Sequence, residues 1–253
     1  MSRLSATQPT LVFVHGVGTN QTIWRSQLRH LNKRTPALAL DLPAHGTNSA
    51  RVRYTVAELA TYLREWLGER QVPNPVLVGH SLGGLAALTV ALQRPQILSG
   101  LIVVGAGARL RVMPAIFESL RGRYPRAVEF IDRLWFVPGT APAIRIKATV
   151  PLSEANPEVV YCDFAACNEF DATRWVGNVD VPTLVIAGRH DQLAPVRLAE
   201  QLQDLVPHAD LAVIEDAGHM AMLEQPRRFN AAVDAFVERM ARPRVAARSS
   251  RLA

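Results

Sequence analysis

The chain has 253 residues, a mass of 27.8 kDa and a formal net charge of +6. Apolar residues make up 49% and charged residues 20%, with 15 Gly and 17 Pro, which excludes a collagen-like chain, a coiled coil and a largely disordered chain. The length suits one large α/β domain or two small ones.

The two cysteines, Cys162 and Cys167, lack C-x-x-C spacing. They exclude a disulfide scaffold and read as reduced thiols in a cytosolic protein. Residues 1–10 are polar, without the apolar run of a secretory signal. Every long apolar stretch is broken before the ~20 residues of a membrane helix. Cytoplasmic residence with no membrane association is the expectation. The basic excess is concentrated at one end: Arg242, Arg244, Arg248 and Arg251 fall in 242–253, which holds no acid. The body is nearly neutral, so no nucleic-acid groove is expected, and 242–253 is read as a disordered basic tail.

In chain order, Leu11–Val14, Ala37–Leu40, Val76–Val78, Leu101–Val104, Thr183–Ala187 and Leu211–Ile214 read as strands. They are continuously apolar, as parallel strands covered on both faces should be. Helical patterns alternate with them. Tyr54–Arg70 carries Leu59, Leu63, Trp66 and Leu67 on one stripe and opens on a Thr55/Glu58 capping box. Leu82–Gln93 is apolar nearly all round, and Arg197–Leu205 and Phe229–Met240 complete the set. The alternation predicts a doubly wound α/β fold. From 106 to 178 no strand appears; helical pieces separated by Pro114, Pro125, Pro138, Pro142, Pro151 and Pro157 predict a helical cap. The expected division is thus a core of 1–105 and 179–241, a cap of 106–178 and a tail of 242–253.

The strongest chemical signal is Gly79-His80-Ser81-Leu82-Gly83, between a buried strand and an apolar helix. G-x-S-x-G in that setting is a nucleophile elbow. Ser81 sits on a strained turn, and Gly79 and Gly83 are small because strand and helix backbones pass too close for a Cβ. The helix N-terminus favours developing negative charge there.

At these residues the chain resembles the α/β-hydrolase superfamily, small bacterial carboxylesterases in particular. The resemblance spans about residues 10–240. It implies an α/β-hydrolase fold with an inserted helical cap. Because only ten residues precede Leu11, about six parallel strands are expected, with the usual N-terminal hairpin absent. The resulting sheet edge is a candidate surface for a homodimer.

A serine hydroxyl needs a general base, and the base needs an acid to fix its tautomer. The superfamily supplies them in the order Ser, Asp, His, after successive strands. Asp191, in Gly188-Arg-His-Asp191, and His219, in Gly218-His219-Met220, match in type, order and position. His190 adjoins its own acid, His80 should point away from the Ser81 hydroxyl, and His30 and His208 lie on exposed segments. Asp216 is the second-choice acid. The oxyanion requires two N–H donors: Leu82, and, by similarity to the family's H-G-x-G loop in His15-Gly16-Val17-Gly18, Val17. The turn Asp41-Leu-Pro-Ala-His45-Gly46 resembles a structural turn of the family.

Serine at the nucleophile position implies an acyl-enzyme and hence a carboxylic ester, lactone or thioester of a small molecule. Trp24, Met113, Ile116, Phe117, Phe136 and Met220 are candidate pocket residues. Arg109 and Arg111 are candidate carboxylate ligands, which would favour a carbon–carbon hydrolase, lyase or synthase on the same triad. A ligand receptor retaining the triad is a further alternative. No metal or organic cofactor is implied.

Overall fold

Six short runs of Val, Leu, Ile and Ala build the sheet. In the computed structural model, which describes residues 8–241, they are β1 (Thr10–Val14), β2 (Ala37–Leu40), β3 (Pro75–His80), β4 (Gly100–Val104), β5 (Thr183–Gly188) and β6 (Asp210–Ile214). The expected tail lies outside the described residues. All pairings are parallel, in the order β2-β1-β3-β4-β5-β6. Every residue of β1, β3, β4 and β5 is buried, while β2 and β6, at the edges, are partly open. The expectation that every apolar run is covered on both faces therefore holds for the four central strands and fails at the two edges, where one neighbour is missing. On the β2 edge Leu38 is 43% exposed.

Ten helices are described: α1 (Arg25–Leu31), α2 (Val56–Glu69), α3 (Leu82–Gln93), α4 (Pro114–Arg121), α5 (Tyr124–Trp135), α6 (Pro142–Glu154), α7 (Pro157–Glu169), α8 (Val196–Leu205), α9 (Ala221–Glu224) and α10 (Pro226–Ala241). The predicted capping box holds: the Thr55 hydroxyl accepts from the Glu58 N–H at 3.2 Å and the Glu58 carboxylate accepts from the Thr55 N–H at 3.0 Å. The short α1 and α9 carried too few periodic residues to be read from the sequence.

Helices α4 to α7 fill the strand-free region. Proline stands in the first turn of each, where its missing N–H costs nothing. One expectation is corrected: Pro151 lies inside α6 and does not separate two helices. It sits three residues before the C-terminal end of α6. The cap is stapled where its chain leaves and re-enters the core. The Ala172 N–H donates to the Ala108 carbonyl at 2.8 Å, and Arg109 pairs with Asp171 at 3.3 Å.

The topology places the site. From β1 the chain runs out to β2 and then returns across the sheet to β3, so the loops after β1 and β3 diverge. In a sheet of this order, the C-terminal ends of the strands at that divergence are where a ligand is expected to bind.

Candidate active site

Ser81 closes β3 and precedes α3. Its backbone adopts φ 51°, ψ −119°, a region that costs a non-glycine residue about 1–3 kcal/mol. Surrounding bonds impose it: the Ser81 N–H donates to the Val104 carbonyl at 2.8 Å, and its own carbonyl accepts from Leu85 N–H at 3.0 Å. The flanking glycines are required by contact. A Cβ on Gly79 would stand 2.2 Å from the Gly83 carbonyl oxygen, and one on Gly83 would stand 2.4 Å from that of His15. Strand β3, helix α3 and the loop after β1 thus converge on the turn, leaving Ser81 only 5% exposed.

Asp191 follows β5 and His219 follows β6. His219 Nδ1 lies 2.8 Å from Asp191 Oδ2. The other carboxylate oxygen accepts from the Leu193 and Ala194 N–H groups at 2.8 and 2.9 Å. A carboxylate held at both oxygens and almost wholly buried is fixed in orientation, and it fixes the Nδ1–H tautomer of the ring. The second-choice acid, Asp216, instead pairs with Arg228 at 3.2 Å on the surface. His30 pairs with Asp234, also at the surface. His190 and His208 are exposed.

The loop after β1 lies directly against Ser81: a Cβ on Gly16 would stand 3.0 Å from Ser81 Cβ. Among the described residues neither the Val17 nor the Leu82 N–H has an acceptor.

Residues 11–232 match the model of the Alpha/beta hydrolase family. The chain belongs to the alpha/beta hydrolase family. This hydrolase is 30% identical to 3-oxoadipate enol-lactonase 2 of Acinetobacter baylyi over 243 residues, covering 92% of this chain and 90% of the relative. It is 28% identical to the pimeloyl-[acyl-carrier protein] methyl ester esterase of Edwardsiella ictaluri, covering 90% and 93%. Among solved structures, a thermophilic esterase superposes with a TM-score of 0.81 at 33% identity, covering 91% and 90%.

The predicted pocket residues of the hydrolase scatter. Trp24 is fully buried beneath the site, its ring 4.9 Å from that of Phe13 and 6.0 Å from that of Phe229. This is a core position, because an indole closed in on all sides offers no face to a ligand. Ile116 is likewise fully buried. Phe136 and Met220 are buried where the end of α5 packs on the His219 loop, with the Met220 N–H donating to the Trp135 carbonyl at 3.2 Å. Phe117 meets Tyr161 edge-on, ring centroids 5.3 Å apart. Met113, Arg109 and Arg111 line a cavity of about 760 Å³ with Leu193 and Arg197, but neither Ser81 nor His219 reaches it. Arg109 is engaged by Asp171 and Arg111 by the Asn168 carbonyl. The structure therefore does not bring the arginine pair to the serine.

Two side chains around the site gave no sequence signal of their role. His80 is buried and donates from Nε2 to the His219 carbonyl at 3.1 Å, tying the Ser81 turn to the histidine loop. Burial, and then the nearby His219 charge, hold its pKa well below the usual value. Glu224 accepts from the Gly218 N–H at 2.7 Å with one oxygen, and from the Val137 N–H and Thr140 hydroxyl with the other. It clamps the histidine loop to the cap. Among the described residues no group of three His, Cys, Asp or Glu is arranged to hold a metal ion, and no helix is long and apolar enough to cross a membrane.

Proposed function

We propose that this hydrolase cleaves a carboxylic ester or lactone of a small molecule through an acyl-enzyme on Ser81. The observation that carries the reading is the strained Ser81 elbow at the end of β3, whose neighbour His80 bonds the carbonyl of His219, the ring held in a buried pair with Asp191. Strain at a non-glycine residue persists only where the surroundings over-determine it, and here it presents a hydroxyl at a helix N-terminus.

His219 takes the Ser81 proton as the hydroxyl attacks the carbonyl carbon. Asp191 holds the ring and stabilises the imidazolium that forms. The Leu82 and Val17 N–H groups receive the oxyanion. His219 then protonates the leaving oxygen, and water enters by the same route to release the acid. For a lactone, the leaving oxygen remains on the acyl chain as a hydroxyl, and water releases a single hydroxy acid from Ser81. Relatives named as an enol-lactonase and as a methyl ester esterase support the substrate class.

The test is a chain-length series of p-nitrophenyl esters, with a simple lactone alongside, on wild type and Ser81→Ala. Turnover should fall at least about 10⁴-fold in the variant. Unchanged rates would end the reading.

A further inference from the structure

A second buried pair links the cap to the loop beside the nucleophile. Asp163, on α7, places Oδ2 2.9 Å from His45 Nε2, and both side chains are 3% exposed. The other ring nitrogen of His45, Nδ1, lies 2.9 Å from the Pro43 carbonyl. Both neighbours are acceptors, so both nitrogens carry protons and the pair is an imidazolium against a carboxylate. A buried charge pair costs desolvation that geometry must offset, which makes it poor evidence of stability alone.

The His45 ring centroid lies 5.0 Å from that of His15, which is wholly buried on the loop after β1. His15 Nε2 accepts from the Leu42 N–H at 2.9 Å, so that nitrogen is unprotonated and the proton is on Nδ1. Nδ1–H donates to the Gly16 carbonyl at 2.9 Å, and the Thr19 hydroxyl donates to the same oxygen at 3.0 Å. That carbonyl shares its peptide plane with the Val17 N–H. In a trans peptide the two point in opposite directions, so fixing the one aims the other. Cap helices also bear on the loop: a Cβ on Gly18 would meet Leu152 of α6 at 2.4 Å and Val160 of α7 at 3.4 Å.

We propose that Asp163 and His45 are positioning residues for the oxyanion hole: their buried charge pair adds to the burial of His15 in keeping that ring neutral, which locks the Gly16–Val17 peptide with its N–H aimed at the reacting carbonyl. A second proton on His15 would abolish the bond from Leu42 and set two like charges 5 Å apart in a dry site. The inference rests on the Ser81 reading above. The charged and titratable groups acting on His45 are Asp163 and Asp41, with His15 beside it; Tyr124, Cys162 and Cys167 neighbour Asp163.

Asp163→Asn and His45→Gln each remove the charge pair while keeping a polar side chain. The assay measures kcat and KM on p-nitrophenyl butyrate, and Ki for a trifluoromethyl ketone that forms a tetrahedral oxyanion on serine. The expectation is a fall of about tenfold in kcat with KM within twofold, and a rise of about tenfold in Ki. A role confined to folding would lower the melting temperature and leave Ki unchanged in the folded fraction; that result overturns the proposal. If neither variant folds, the wild type decides: ¹⁵N-histidine spectra at pH 6 should show His45 protonated at both nitrogens and His15 neutral with Nδ1–H, and a neutral His45 overturns it. Ser81→Ala runs as the control. If it is inactive while Asp163→Asn is unchanged, this inference alone fails; if it stays active, both readings fail.

Discussion

His219 and Asp191 come from loops after neighbouring strands, yet their ring and carboxylate meet at 2.8 Å with almost no exposure. The second carboxylate oxygen is held by two backbone N–H groups, so the carboxylate cannot turn to release the ring. An amide at this position would offer the same shape and would allow the wrong ring tautomer. Asp191→Asn should therefore fold normally and lose about 10³–10⁴-fold in kcat, read by p-nitrophenyl ester turnover beside a thermal melt. A loss below tenfold would remove the aspartate from the relay.

Trp24 tests core against pocket. Its indole packs on Phe13 and Phe229 and meets the edge of His80. Trp24→Ala should cost about 3–5 kcal/mol in urea denaturation, because a large side chain leaves a cavity. Trp24→Phe should lose far less and leave KM for the ester within twofold. A KM that rises severalfold in Trp24→Phe, with stability retained, would return the residue to the substrate pocket.

Stability should fall on the acid side of neutrality. Burial, with the charge on His45 second, depresses the His15 pKa to about 3, and burial also holds His80 well below the usual value. Below pH 6.5 the unfolded chain binds a proton at each site and the native fold does not, so unfolding takes up protons and acid favours it. Each histidine contributes at most about 1.4 kcal/mol per pH unit. His45 runs the other way: burial alone would lower its pKa, but the Asp163 hydrogen bond and charge raise it above the ordinary value. Its stabilisation is full below 6.5 and is lost as the pH climbs through the raised value. Calorimetric melts from pH 8 to 4 should therefore peak near neutrality and drop steadily below pH 6.5. A melting temperature flat from pH 7 to 5 would mean that the buried histidines are protonated in the native fold.

What the sequence determined by itself was everything carried by local pattern. Continuous apolar runs between helical stripes specify parallel strands, and G-x-S-x-G between strand and helix specifies a strained turn. The meeting of Asp191 and His219 was legible because each follows a strand run and a glycine, and strand ends lead to the same rim of the sheet. What only the tertiary structure decided was contact across long separations. The His45–Asp163 pair spans 118 positions, and the His80 bond to the His219 carbonyl spans 139. Such contacts leave no periodicity, since they depend on how the cap seats on the core and how far two loops reach. For the same reason residue type alone did not place Trp24 and Arg109, both plausible near a ligand. An indole fits a core as well as a pocket, and an arginine at a hinge meets whichever acid the fold delivers, here Asp171.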